Sequence, residues 1–396
     1  MSETQKHKKP NVPNLRFPGF EGEWKESTFG DCSTGFDYGM NAASKPFDGE
    51  HKYIRITDID ENTSEYKEGG VVSPDSEIDE QYRVNENDIL FARTGASTGK
   101  TYLYSPKDGR LYYAGFLIRM NVSPQNNARF VFYQTQTSRY KKWVQIMSMR
   151  SGQPGINSQE YSSYRCFLPK LEEQQKIANL LTLIDQRISI QNRVIEDLKK
   201  LKAALCESMY DENEPNYMMG EIIEQTSTRN GKGQNLKVLS VSNQLGFIEQ
   251  SEQFEGRTIA SQDTSNYKIV SRDDFAYNPA RINVGSIARL KGLEKGIVSP
   301  MYVCFRCKKE ILPGYLEAFF DTDYFFLEME KRLEGSVRMC LSYDGICNIP
   351  IAIPSLEEQK SVMSKIQVLN DKIELEESIS KCLFVQKQYL LSQMFI

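Results

Sequence analysis

The stretch Arg93-Thr-Gly-Ala-Ser-Thr-Gly-Lys100-Thr101 comes nearest to a phosphate-binding loop. A loop that cradles triphosphates has four residues between its glycines, then Lys and Ser or Thr, and it opens a helix whose N-terminal amides hold the phosphates. Only three residues separate Gly95 from Gly99, and Thr101-Tyr-Leu-Tyr-Ser-Pro reads as a strand. Two expectations stand side by side: a tight basic loop whose Arg93 and Lys100 touch a nucleic-acid phosphate, and a plain hairpin. Cys304-Phe-Arg-Cys307, with Cys340 and Cys347, has the side chains of a zinc site without its spacing, because six residues separate the later pair. In the first half of the chain, which the second half repeats, Arg119 and Val122 occupy the places of Cys304 and Cys307, so structural thiols are the expectation. Tyr277-Asn-Pro-Ala-Arg281 lacks the second proline and the aromatic of an amino-methyltransferase motif. His7 and His51, the two histidines of the chain, have no evident partner for acid–base chemistry. No catalytic constellation emerges, and no metal or cofactor is expected in this chain.

Other residues suit reading rather than catalysis. Met147–Asn157 is a Gly/Pro-punctuated loop carrying Arg150, Gln153 and Asn157, side chains that can pair with guanine or adenine edges in a major groove. Gly335–Ile346 precedes the second long helix in the same way and carries Arg338 and Tyr343; the equal alternative is an ordinary connection to the long helix. Lys141 and Lys142, at the end of an expected helix over Arg129–Gln145, are phosphate candidates, and Arg281 and Arg289 join Arg338 and Tyr343 as DNA-contact candidates of the second half. A second such helix is expected over Leu316–Leu333. The net charge of −4 conceals segregation: residues 1–83 hold 10 Lys/Arg against 17 Asp/Glu, residues 84–167 hold 11 against 4, and residues 275–309 hold 7 against 1. One basic stretch falls in each half.

The elements that must position these residues are written twice. Pro169-Lys-Leu-Glu-Glu-Gln174 returns in the second half as Pro354-Ser-Leu-Glu-Glu-Gln359. At the offset that aligns these two phrases, Tyr53–Asp58 falls on Val238–Asn243 and Tyr82 on Tyr267, while Asp88-Ile-Leu-Phe91 lies one residue out from Asp274-Phe-Ala-Tyr277. The chain is a tandem duplication. Each half is expected as a β-rich mixed domain of short strands.

After each Leu-Glu-Glu-Gln the pattern changes to alternating steps of four and three. Ile177, Leu181, Ile184, Ile188, Ile195, Leu198 and Leu205 form one apolar seam. Val362, Ile366, Leu369, Ile373, Leu383 and Leu390 form the other. Both seams turn polar at matching places, Gln191 with Glu376 and Lys202 with Lys387. Seams of this length predict that the two helices pair as a coiled coil. Pro169 and Pro354 suit helix starts, the Glu pairs suit the positive end of the helix dipole, and Pro215 stops the first helix. About 39 residues make a helix of roughly 58 Å. The expected order is a disordered basic tail (1–14), a first domain (15–167), a spacer helix (168–212), a second domain (213–352) and a C-terminal helix (353–396). Antiparallel pairing would give a spacer with two heads.

At 396 residues, 39% hydrophobic and 26% charged, the composition is that of an ordinary globular protein. No apolar run approaches the ~18–20 residues of a membrane span, and the polar N-terminus has no secretory pattern, so a cytoplasmic address is expected. The eight cysteines show no disulfide framework and are expected to stay reduced.

The two Pro-x-Leu-Glu-Glu-Gln helices, the opening Asn11-Val-Pro-Asn-Leu-Arg-Phe-Pro-Gly-Phe-Glu-Gly-Glu-Trp24, and the loops Asp88–Lys100 and Ser151–Asn157 together resemble the specificity subunits of type I restriction–modification systems. The resemblance covers essentially the whole chain. It implies a non-catalytic DNA reader in which each domain recognises one half of an interrupted, asymmetric site in double-stranded DNA. It also implies that the helices act as a ruler and recruit two adenine-N6 methyltransferase subunits, and with them ATP-dependent restriction subunits. AdoMet, ATP and Mg²⁺ then belong to those partners. A rod of ~58 Å would cover at most about 17 base pairs. Two rivals share parts of this reading. A structural adaptor whose heads bind proteins would show no salt-dependent, sequence-selective DNA binding. An enzyme built on Gly95–Lys100 would show an ATPase lost on Lys100→Ala.

Overall fold

The computed structural model describes residues 10–67, 69–149, 153–211, 214–231, 234–243, 245–250, 264–335 and 338–396. The chain divides into two compact units. The first runs to Asn192 and includes Ser378–Ile396, and the second is Arg193–Glu377.

In the first unit the central sheet is antiparallel, in the order Ser33–Tyr38, Leu117–Val122, Asp88–Ala92, Thr101–Leu103. Successive side chains leave a strand on opposite faces, so a strand covered on both sides reads as a continuous apolar run. Asp88-Ile-Leu-Phe-Ala92 is such a run. Ile89 and Phe91 enter a core with Phe29, Ile118 and Tyr161, whereas Leu90 and Ala92 enter a second with Ile54, Tyr102 and Tyr113. Each such side chain contributes about 1.5–3 kcal/mol on burial. Lys52–Ile54 lies parallel to Leu111–Tyr113, and Lys25–Thr28 pairs with Arg165–Leu168.

The second unit repeats the plan. Its central sheet runs Ile223–Thr226, Val303–Cys307, Phe275–Tyr277, Ile287–Arg289, in the same order and sense. Val238–Ser242 lies parallel to Lys295–Val298, and Tyr217–Met218 closes on Pro350–Ile351. Phe275, Tyr277 and Phe305 face one core; Val241, Ala276 and Cys304 face the other. The duplication is therefore one of topology as well as of sequence. Cys304 is a core residue, Cys307 packs beside the first of these cores, and burial pushes both thiols up to about 12.

Two expected helices prove to be four. Arg129–Gln145 is split into Ala128–Gln134 and Ser138–Met147, and Leu316–Leu333 into Pro313–Phe319 and Asp323–Glu330. The physical reason is the same in both units. Thr137 accepts a hydrogen bond from Tyr140 N, Thr322 accepts one from Phe325 N, and each caps a new helix start.

The phrase that opens each long helix is explained by its glutamine. Gln174 Oε1 accepts from Asn127 N at 2.9 Å, while its Nε2 donates to Pro169 O at 3.0 Å. Gln359 Oε1 accepts from Leu312 N at 2.8 Å, and its Nε2 donates to Pro354 O and Glu310 O, both at 3.0 Å. A buried side-chain amide thus ties the helix to the chain entering the first short helix. Its neighbour differs. Glu173 is buried and takes a bidentate ion pair from Arg16, both bonds 2.8 Å, whereas Glu358 accepts from Ser355 N and Oγ. Residues 10–14, assigned by sequence to a disordered tail, pack on the first unit: Val12 is half-buried, Pro13 is buried and Asn11 O accepts from Trp24 N. Residues 1–9 lie outside the described residues.

The long helices, Leu171–Asp211 and Leu356–Met394, contribute to both units. Within the first unit they run antiparallel: Asn192 meets Ser380 at 2.9 Å and Asp185 meets Lys387 at 2.7 Å. The buried Lys387 also lies over the Tyr133 ring, whose hydroxyl donates to Asp185. Leu391, Met394 and Phe395 enter the first core beside Trp24 and Phe130. Within the second unit Lys199 pairs with Glu377 at 2.6 Å, and Cys206 shares a core with Ile366. Along the seams Ile177, Leu181, Ile184, Ile195, Ile366, Ile373 and Leu383 are buried. Ile188, Leu198, Leu205, Val362, Leu369 and Leu390 are half-buried. Both seams are antiparallel coiled-coil seams. No helix among the described residues is long and apolar enough to cross a membrane.

Candidate nucleic-acid interface

In the first unit the strand Asp88–Ala92 delivers the chain to a loop closed on itself. Gly99 N donates to Ala92 O at 3.0 Å and Ala92 N to Lys100 O at 2.9 Å, so Thr101 resumes the ladder as a strand. No helix follows, so the arrangement is a hairpin. Gly99 has φ +90°, and an added Cβ would lie 2.5 Å from a Val144 methyl, so the residue needs glycine both for its left-handed backbone and for the approach of the helix Ser138–Met147.

The second loop folds onto the first. Gly95 N donates to Pro154 O at 2.9 Å, Ile156 N donates to Arg93 O at 2.9 Å, and Thr94 bridges Gly155. Arg93 and Gln153, distant in sequence, therefore meet on one surface, where Gln153 is exposed. The Arg93 guanidinium stacks over the Tyr38 ring at 4.8 Å. Tyr38 is exposed, and its hydroxyl accepts from Ser158 N and Oγ at 3.2 Å. The Ser158 bonds, aided by Arg93, lower the Tyr38 pKa. Nothing in the spacing of Tyr38 marked it, since it lies far upstream of Arg93 in the chain.

The other candidates divide. Lys141 and Lys142 are exposed within the helix Ser138–Met147, beside its centre rather than at the end of a longer one. Lys100 is paired with Glu61 at 2.6 Å and is largely covered. Asn157 caps the helix Ser158–Ser162: its side chain accepts from Glu160 N at 2.9 Å, while Glu160 Oε2 accepts from Asn157 N. The Asn157 carbonyl oxygen is thereby committed to the backbone. Arg150 lies outside the described residues.

In the second unit Arg281 and Arg338 are exposed, Arg281 just before the single turn Ile282–Val284. Arg289 is held by Asp273 at 3.0 Å and Glu317 at 2.9 Å. Tyr343 opens the helix Tyr343–Cys347, packs on the core, and has its pKa raised by burial and by the Cys347 thiol it contacts. A hollow of about 410 Å³ near Tyr38 is lined by Ser33, Thr34, Phe36, Ser158 and Ser162. Hydroxyls dominate this lining. Among the described residues no three His, Cys, Asp or Glu side chains gather as a metal would require.

The architecture defines a class first: a duplicated β-rich head, each copy followed by a long helix with an antiparallel partner. Residues 22–200 match the family described as the type I restriction modification DNA specificity domain. Over 347 residues the chain is 23% identical to the type I restriction enzyme MjaVIII specificity subunit of Methanocaldococcus jannaschii, covering 79% of this chain and 80% of that protein. A putative MjaX specificity subunit of the same organism is 21% identical, over 94% and 92% of the two chains. The solved S subunit of a type I restriction–modification system from M. genitalium superposes with a TM-score of 0.59 at 14% identity, over 97% of this chain and 99% of that one. A second solved chain, from work on complex assembly and conformational transition of the type I R-M system, gives 0.54 at 15% identity, over 96% and 99%. The chain is thus similar, over most of its length, to the specificity subunits of type I restriction–modification systems, and its first half matches their DNA specificity domain.

Proposed function

We propose that each β-rich head reads one half of an interrupted, asymmetric DNA sequence. The paired helices set the gap and recruit two adenine-N6 methyltransferase subunits, through which restriction subunits join. AdoMet, ATP and Mg²⁺ act in those partners; the residues of this chain bind and orient DNA.

The observation that carries this reading is the contrast within the duplication. The two heads share strand order and the glutamine joint, while the loops at the matching sheet edge differ: Arg93-Thr-Gly-Ala-Ser-Thr-Gly-Lys100 in one, Asn278-Pro-Ala-Arg-Ile-Asn-Val-Gly-Ser286 in the other. A shared frame with different loops suits two different half-sites. In the first head the phosphate contacts fall to Arg93, Lys141 and Lys142, and the base contact to Gln153. In the second they fall to Arg281 and Arg338. The helices also present apolar side chains away from their seams, Leu183, Ile190 and Val385 in the first unit and Leu201, Val368 and Leu375 in the second. These are the surfaces on which methyltransferase subunits are proposed to dock.

A genome-wide map of N6-methyladenine, with the gene present and deleted, tests the proposal. Loss of methylation at one gapped, asymmetric motif is the expected result, and exchange of residues 213–352 with those of a relative changes one half of that motif. A gene-independent map in a strain whose methyltransferase subunit is active and bound to this chain would overturn it.

A further inference from the structure

The turn entering Leu117–Val122 in the first head, and the turn entering Val303–Cys307 in the second, each carry an exposed apolar side chain at the tip. In the first head Leu117 N donates to Ala114 O at 2.8 Å, closing a β-turn around Gly115 and Phe116. In the second, Tyr302 N donates to Ser299 O at 3.1 Å around Pro300 and Met301, which occupy the same places in the repeat. The third position of such a turn ordinarily favours Gly, Asn or Asp. Here it holds Phe116, 64% exposed, and Met301, 56% exposed. Single apolar side chains on a surface are ordinary. Two at one position of a duplicated turn, in loops that have otherwise diverged, are not.

The first tip is held rigidly beside the candidate DNA surface. Phe116 O accepts from Arg93 N at 3.0 Å, so the ring rides on the residue whose guanidinium covers Tyr38. Gly115 N donates to Met40 O at 2.7 Å, and a Cβ on Gly115 would come within 3.3 Å of that oxygen. Gly39 is tighter still, since a Cβ there would lie 2.2 Å from Ala114 O. The turn is thus locked by close backbone contacts while its one large side chain points to solvent.

We propose that Phe116 and Met301 are wedges that press into the DNA base stack, one in each half-site, and open a base step beside the groups that read it. Phe and Met both belong to the apolar residues that architectural proteins insert between base steps, where unstacking lets the duplex meet more protein surface. The chemistry also separates the wedge from its cationic neighbour. A wedge releases no counterions and leaves the salt dependence of binding alone, whereas a phosphate contact such as Arg93 contributes to it. This inference rests on the DNA-reading function proposed above.

The test uses the full chain assembled with its methyltransferase subunits, on a duplex carrying the mapped motif, with 2-aminopurine placed at each adenine in turn. Phe116→Ala is expected to weaken binding roughly ten- to a hundredfold, the size of a lost base–aromatic contact, with an unchanged slope of log affinity against log salt. It also abolishes a 2-aminopurine fluorescence rise at one step of one half-site. Phe116→Trp retains the rise. Met301→Ala abolishes a rise in the other half-site, and Arg93→Ala lowers the salt slope by about one while keeping the rise. Wild-type affinity and unstacking in both Phe116→Ala and Met301→Ala would sink the wedge and leave the DNA-reading function standing. Absence of any gene-dependent motif would remove both together.

Discussion

The two heads share a frame and part company at its edges. Both place a buried aspartate at the start of the central strand, Asp88 and Asp274, each accepting a backbone N–H from three residues upstream. Both precede that aspartate with a residue of positive φ, Asn87 at 70° and Asp273 at 67°. Both use glycine two residues before the next strand, Gly99 and Gly285, with φ near +90°. Between these fixed points the first head closes Gly95–Lys100 onto Gln153–Asn157, while the second spends the same interval on the turn Ile282–Val284 and commits Arg289 to Asp273 and Glu317. Positions that set backbone geometry are shared; positions that only face solvent are free to differ.

The helix joints allow that comparison to be broken. The first joint holds Glu173 against Arg16, and the second holds Glu358 on Ser355. Arg16→Ala strands a buried carboxylate and is expected to destabilise the chain by about 3–5 kcal/mol, read from urea unfolding. The equivalent lesion in the second head, Ser355→Ala, removes an exposed cap and costs about 1 kcal/mol. Equal losses would show that the first joint gains nothing from its ion pair. The glutamines should behave alike. Gln174→Leu and Gln359→Leu each leave buried backbone groups unsatisfied, at about 2–4 kcal/mol apiece. A large difference between them would mean that the two joints are not equivalent in strength.

The smallest effect concerns the paired aspartates. Burial raises the pKa of both Asp88 and Asp274. A raised folded-state pKa favours the protonated form, so its stabilisation is complete below the ordinary carboxylate value and is lost as pH rises through the folded value. Asn is neutral throughout. The stability of Asp88→Asn relative to wild type should therefore improve as pH rises from about 4.5 to about 7.5, and Asp274→Asn should follow the same sign. Opposite signs in denaturant midpoints across that range would separate the two sites.

What could be read from the sequence was what local periodicity encodes. The seam residues from Ile177 to Leu390 were visible because a 3.5-residue repeat needs no knowledge of the partner, and the duplication was visible because the frame kept its spacing. The break at Thr137 was also present, as a capping threonine inside an apolar pattern, but the pattern on either side masked it. Asn157 bore a legible signal, since Asn-Ser-Gln-Glu160 is a capping box, and that chemistry accounts for the side chain as a cap. The pairing of Lys100 with Glu61 and the stacking of Arg93 on Tyr38 join residues tens of positions apart, where no local pattern can reach.

The glutamine joint has one more consequence, which concerns inheritance. Gln359 bonds to the main chain of Leu312, Glu310 and Pro354, and Gln174 chiefly to that of Asn127 and Pro169. Main-chain amides and carbonyls are the same whatever side chains a head carries, so these glutamine bonds are blind to the sequence of the domain they hold. A crossover falling within the codons for Pro-x-Leu-Glu-Glu-Gln would attach a foreign head to a resident helix with the glutamine fastening already complete. Surface loops could then be replaced wholesale, provided that a head joined to the first helix brings a cation at the place of Arg16 for the buried Glu173.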